Sequence, residues 1–256
     1  MILTVTGLAV VLAGGCLALL TSKWRLVASW MGVLGVSIGC LLALPEAVET
    51  LVQGTRIVLH QNWSIPFGSF RVELDKLSSF FLIPTLLLSL LSAIYGHTYL
   101  RPIRSDRPIG MIWLAFSTLV ASLILLFIAR NVVLFLLAWE AMTLSSFFLV
   151  VIDHEKESSR TAGRFYLAAT QIGTACLLIM FALLTRKTDA MDFETLHALR
   201  STLPGSGSLV FVLALIGFGT KAGLMPLHSW LPRAHPAAPS HVSALMSAIM
   251  IKTGIY

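Results

Sequence analysis

Apolar residues in this chain neither alternate nor keep to one helical face. They come in runs of about twenty, separated by short stretches of charged residues, glycine and proline. A helix rises about 1.5 Å per residue, so about twenty apolar residues match the hydrocarbon thickness of a bilayer. Runs of that kind at 2–21, 24–44, 77–98, 109–129, 132–152, 162–185, 208–230 and 240–256 predict an all-α polytopic membrane protein of about eight transmembrane helices. The first run lacks a basic start and a small-residue cleavage site, and a second follows at once. It therefore reads as a span and not as a signal peptide. The interval between spans two and three, TRIVLHQNWSIPFGSFRVELDKL, alternates apolar and polar residues around Ile65-Pro66-Phe67-Gly68. That pattern predicts a β-hairpin on the membrane surface at about 55–75, the alternative being a loop without structure.

Composition strengthens the membrane reading. Of 256 residues, 57% are hydrophobic and 12% charged, with a mean hydropathy of +0.87, whereas soluble domains carry about 25% charged residues. The net charge of +6 could suggest nucleic acid, but the basic residues sit in short loops and form no patch, so no nucleic-acid partner is expected. Cys16, Cys40 and Cys176 stand singly in apolar stretches and read as small packing residues. No phosphate-binding loop, metal-ligand cluster or nucleophile triad is apparent, so neither a cofactor nor a metal is expected. Of the basic residues in loops, nine (Lys23, Arg25, Arg101, Arg104, Arg107, Lys156, Arg160, Arg164, Arg233) fall on one side. Seven (Arg56, Arg71, Lys76, Arg130, Arg186, Lys187, Arg200) fall on the other. The excess predicts an outside N-terminus and a cytoplasmic 101–107 loop.

Three charges remain inside spans: Glu140, Lys221 and Lys252. A carboxylate at a bilayer centre costs about 2.5–3.5 kcal/mol on insertion scales, and embedded ionisable groups usually mark ion or proton paths. Lys221 lies in GFGTKAGLMPLHSWLPRAHPAAPS, the densest cluster of helix breakers in the chain, which predicts that the seventh helix is broken. The lysine there either titrates or caps carbonyls at the break. His228, seven residues on, could relay a proton or hydrogen-bond a loop, and Pro226 between them leaves a shared helix face in question. Lys252 follows His241 by eleven residues, three turns, placing both on one face of a continuous helix about 16 Å apart. This lysine could instead snorkel to the headgroups. A carboxylate in one span and amines in two others could pair, shifting one another's protonation. The rival is a purely structural bridge. Thr143, Ser145 and Ser146 could hold water or simply allow close packing.

GFGTKAGLMPLHSWLPRAHPAAPSHVSALMSAIMIKTGIY and WEAMTLSSFFLV resemble the signature of antiporter-like subunits of respiratory complex I, of Mrp-type cation/proton antiporters and of membrane-bound hydrogenases. The PLHSWLPRAHPAAPS wording is most similar to the hydrogenase-4 component B branch. The likeness is strongest over 109–256. It implies an N-terminal set of helices over 1–108 and a first antiporter-like repeat over 109–256, with the chain an N-terminal portion of a longer subunit. It also implies that Glu140 is the fifth-span glutamate, Lys221 the broken-helix lysine and Lys252 the basic residue of the following helix. Ser247 stands where many relatives carry histidine, and His241 where many carry proline. The implied function is proton translocation in the bacterial inner membrane. Partners would be other membrane subunits and a peripheral electron-transfer arm, with an Mrp-like antiporter or a non-translocating anchor as alternatives.

Overall fold

The computed structural model describes residues 1–61, 69–101, 109–185, 191–198 and 207–256. Among the described residues, six helices are long and apolar enough to cross a membrane: α1 (Ile2–Leu20), α2 (Arg25–Gln53), α3 (Lys76–Tyr99), α4 (Ile109–Ile128), α5 (Val132–Val150) and α6 (Glu157–Thr185). A helix satisfies its own backbone groups within one segment, which hydrocarbon demands. α4 is the hub: 72% of its span is buried, against 33% for α1 and for α6.

The first six expected spans correspond to these helices, with two extensions. α2 runs through Pro45 to Gln53 instead of stopping near residue 44. Its added turns carry Glu46, whose carboxylate accepts hydrogen bonds from the amides of Leu3 (3.1 Å) and Thr4 (2.9 Å) and pairs with the terminal amine. Helix starts leave amide donors unmet, and a distant carboxylate here does the work of a local cap. α6 begins a polar turn earlier than its apolar run.

The count of eight long spans is not reproduced. The seventh is a shorter apolar helix, α8 (Gly207–Ala222), followed after a break by α9 (Leu231–Ala237). The eighth is α10 (Ser240–Ala248), which passes at Ile249 into a 3₁₀ turn over Met250–Gly254. Proline and glycine between 223 and 239 prevent one continuous span from 208 to 230. A short helix, α7 (Phe193–Ala198), was not expected.

The expected hairpin is present as β1 (Ile57–Gln61) and β2 (Phe70–Leu74), antiparallel, with Leu59 opposite Val72. Its expected turn at Ile65-Pro66-Phe67-Gly68 lies outside the described residues, as do Arg104, Arg107, Arg186, Lys187 and Arg200. β2 reaches the α4–α5 junction through a bridge from Val72 to Ala129, and Asn131 bridges in turn to Asp192. Arg130, at this junction, donates to Asp75 (2.8 Å), Ser78 (2.9 Å) and the Tyr256 hydroxyl (3.0 Å). One guanidinium thus ties together the hairpin end of α3, the α4–α5 junction and the 3₁₀ turn.

Candidate functional site

α8 ends because of Gly223. Its φ of 72° is left-handed, which a residue without Cβ adopts at no steric cost. The Leu224 amide bonds the Gly219 carbonyl (2.9 Å) and the Gly223 amide bonds the Thr220 carbonyl (3.3 Å), the paired pattern of a Schellman terminus. The indole of Trp230 adds a third donor, to the Thr220 carbonyl at 2.8 Å. Protein groups therefore meet carbonyls that the break would otherwise expose to hydrocarbon. The break falls at Gly223, ahead of Pro226, and this places Lys221 in the last turn of α8, where the helix dipole favours a cation.

Lys221 is 1% exposed. Its amine donates to the Thr143 hydroxyl on α5 (3.1 Å) and to the Tyr166 hydroxyl on α6 (3.2 Å). The rings of Trp139 and Tyr166 flank it, with centroids 5.7 and 5.5 Å from the amine, close enough for a cation–π attraction. The hydrogen-bond directions can be assigned. Thr143 donates to the Trp139 carbonyl (2.9 Å) and Ser146 to the Met142 carbonyl (2.6 Å). With its hydrogen so committed, Ser146 accepts from Tyr166 at 2.6 Å, and both Thr143 and Tyr166 are left as acceptors toward the amine. Trp230 packs at a tilt against Tyr166, centroids 5.0 Å apart and planes 58° from parallel, and holds its ring in place.

Glu140 lies three residues before Thr143 on α5, hence one helical turn from the lysine's hydroxyl partner. One carboxylate oxygen accepts from Gln171 of α6 at 2.9 Å, and the other is buried without a partner among the described residues. No ion pair joins Glu140 to Lys221 among the described residues; the pair is adjacent through α5 and not in contact.

The other three expected residues are dispersed. His228 lies within the break and not on a helix face shared with Lys221, and its Nδ1 is buried without a partner among the described residues. His241 is 2% exposed, near the start of α10. Lys252 is exposed and donates to the Ser247 carbonyl at 2.9 Å. The shared face expected for His241 and Lys252 is not formed. At Ile249 the helix tightens to three residues per turn, rotating Lys252 away and releasing a carbonyl that its amine takes up. By sequence alone Thr143 is one polar residue in an apolar run. Tyr166, Gln171 and Trp230 carry no signal in the sequence, since a lone hydroxyl, amide or indole in an apolar run has no distinctive spacing.

The architecture is that of a helical membrane protein with an embedded amine at the end of a broken span. The family described as NADH:quinone oxidoreductase/Mrp antiporter, TM, matches residues 129–256, half of the chain, and the chain belongs to that family. Hydrogenase-4 component B of Escherichia coli (strain K12) is 37% identical over 219 residues, 86% of this chain and 32% of that protein. The chain spans about a third of the length of the curated relatives it matches. Among solved structures, it resembles a chain of the membrane-bound sulfane sulfur reductase, an archaeal respiratory membrane complex. There the TM-score is 0.83 and the identity 26%, over 98% of this chain and 39% of that one. A chain of the Mrp complex from Dietzia sp. DQ12-45-1b gives a TM-score of 0.81 at 25% identity, over 99% and 27%.

Proposed function

We propose that this chain is a proton-translocating subunit of a hydrogenase or complex I-like oxidoreductase in the bacterial inner membrane. Electron transfer in partner subunits, including a peripheral arm, would drive protons past Glu140, Lys221 and Lys252. The observation that carries this reading is a lysine amine sealed at a helix break and held by two neutral hydroxyls instead of a counter-ion. An ammonium has three N–H donors, and a neutral amine has two and a lone pair. Thr143 and Tyr166 accept two donors in either state, so a third proton can come and go without loss of those hydrogen bonds. A carboxylate one turn away supplies a charge whose protonation, or whose displacement, changes whether the amine keeps that proton. Gln171 holds Glu140 by one oxygen and leaves the other free to take a proton. The similarity to hydrogenase-4 component B favours a redox-driven complex. The likeness to an Mrp chain supports a second reading, cation/proton antiport.

The test is proton uptake by membrane vesicles carrying the intact complex, with electron transfer as the drive. Glu140→Gln and Lys221→Ala are each expected to lower translocation at least ten-fold while all subunits still co-purify. Undiminished uptake would reduce this chain to an anchor. Uptake that requires Na⁺ or K⁺ on the opposite side would favour antiport.

A further inference from the structure

His241 is an anomaly of the packing. It is 2% exposed, and neither ring nitrogen has a hydrogen-bond partner among the described residues. A neutral imidazole carries one donor and one acceptor, and each left unmet in an apolar surround costs about 1–3 kcal/mol. Its neighbours offer little: the rings of Tyr99 and Phe116 lie 5.7 and 5.4 Å away, and Gly96 of α3 abuts its edge. A Cβ added at Gly96 would lie 3.0 Å from the imidazole Cδ2, so the ring packs tightly against the glycine. A residue needed only to fill this space could be phenylalanine, at no polar cost.

Beside it lies a cavity of about 740 Å³, between the 152–162 segment and the 232–239 segment. Asp153, Lys156, Glu157 and Arg233 contribute to its lining, so it is a polar cleft with groups able to hold water. Tyr99 belongs to both places, lining the cleft and packing edge-on against His241. Pro239, two residues before His241, lines the cleft as well.

We propose that His241 is a hydrated station: water from this cleft passes Tyr99, hydrogen-bonds the imidazole, and makes it a site for protons arriving at that end of the bundle. This deepens the translocation reading, and it can be tested without measuring transport. In the intact complex, with Cys16 and Cys176 replaced by serine, buried Cys40 serves as a dry reference. His241→Cys is expected to react with a small cationic methanethiosulfonate at least ten-fold faster than Cys40. Thr161 also lines the cleft, and Thr161→Trp, which narrows it, should slow that reaction at least five-fold. A rate no faster than that of Cys40, or no response to Thr161→Trp, would overturn the proposal.

Should the cysteine variant fail to assemble, diethyl pyrocarbonate on the otherwise unaltered chain gives the same answer. Carbethoxylation of His241 that Thr161→Trp suppresses supports hydration. An unmodified His241 where exposed His154 reacts fully refutes it. Glu140→Gln and Lys221→Ala should leave both labelling rates unchanged, so failure of the transport reading and failure of this one are separable.

Discussion

Tyr166 sets the environment of Lys221 more than any other side chain. It accepts from the amine, donates to Ser146, flanks the amine with its ring, and is itself pinned by Trp230. Tyr166→Phe keeps the ring and the packing and removes one of the two acceptors. An amine donor left unmet in the interior costs about 1–3 kcal/mol. The variant is therefore expected to assemble with a melting temperature lowered by a few degrees and to translocate protons several-fold more slowly in vesicles. Unchanged uptake would show that the hydroxyl merely fills space. At this scale the sequence was legible where it broke a rule. A glutamate and a lysine in apolar runs stand out because burying charge is costly, whereas Tyr166 and Thr143 break no rule and become visible only as neighbours of the amine.

Among the elements, helix ends carry the argument. α3 begins at Asp75, whose carboxylate accepts from the Ser78 amide at 2.7 Å and pairs with Arg130 at 2.8 Å. Burial by itself would raise this acid, but the Ser78 amide and the Arg130 guanidinium outweigh it and hold the carboxyl below the usual carboxylate range. A folded-state value below the unfolded one means stability that is present above about pH 4 and lost as pH falls through the folded value. Asp75→Asn retains a capping oxygen and loses the charge. In thermal unfolding of the solubilised complex it should be less stable by about 1 kcal/mol at pH 7, a difference that closes as pH falls below the usual carboxylate range. A deficit that persists at low pH would point to the cap geometry instead of the charge. The other informative end is that of α8. Helix breakers were evident in the sequence, but which one acts was not. Gly223 wins because a left-handed residue followed by two returning amides and an indole completes the terminus before Pro226 is reached.

For the whole molecule, close backbone approach substitutes for the hydrophobic drive that lipid removes. α1 and α2 meet through small residues, and a Cβ at Gly14 would lie 2.5 Å from the Gly35 Cα. The 3₁₀ turn meets α8 in the same way: a Cβ at Gly254 would lie 2.5 Å from the Phe218 carbonyl. Backbone cannot yield as a flexible side chain can, so Gly14→Val should force the α1–α2 pair apart. The expected result is a sharp fall in the yield of assembled complex on size exclusion. Leu17→Val, at a position 46% exposed, should leave the yield unaltered. Equal yields would mean that α1 is not needed for the bundle to form.

What the sequence determined by itself follows from the solvent. Oil requires each segment to satisfy its own backbone and penalises every charge, so six long helices, a broken seventh and the suspect residues Glu140 and Lys221 could be read one segment at a time. The hairpin also belongs here, because strand alternation is local. Tertiary structure decided who meets whom. Lys221 finds partners 78 and 55 residues away in sequence, α1 borrows its cap from Glu46, and a switch to 3₁₀ geometry at Ile249 turns Lys252 from the face of His241. Those outcomes depend on how helices cross and rotate against one another, and hydropathy summed along a chain contains no record of either.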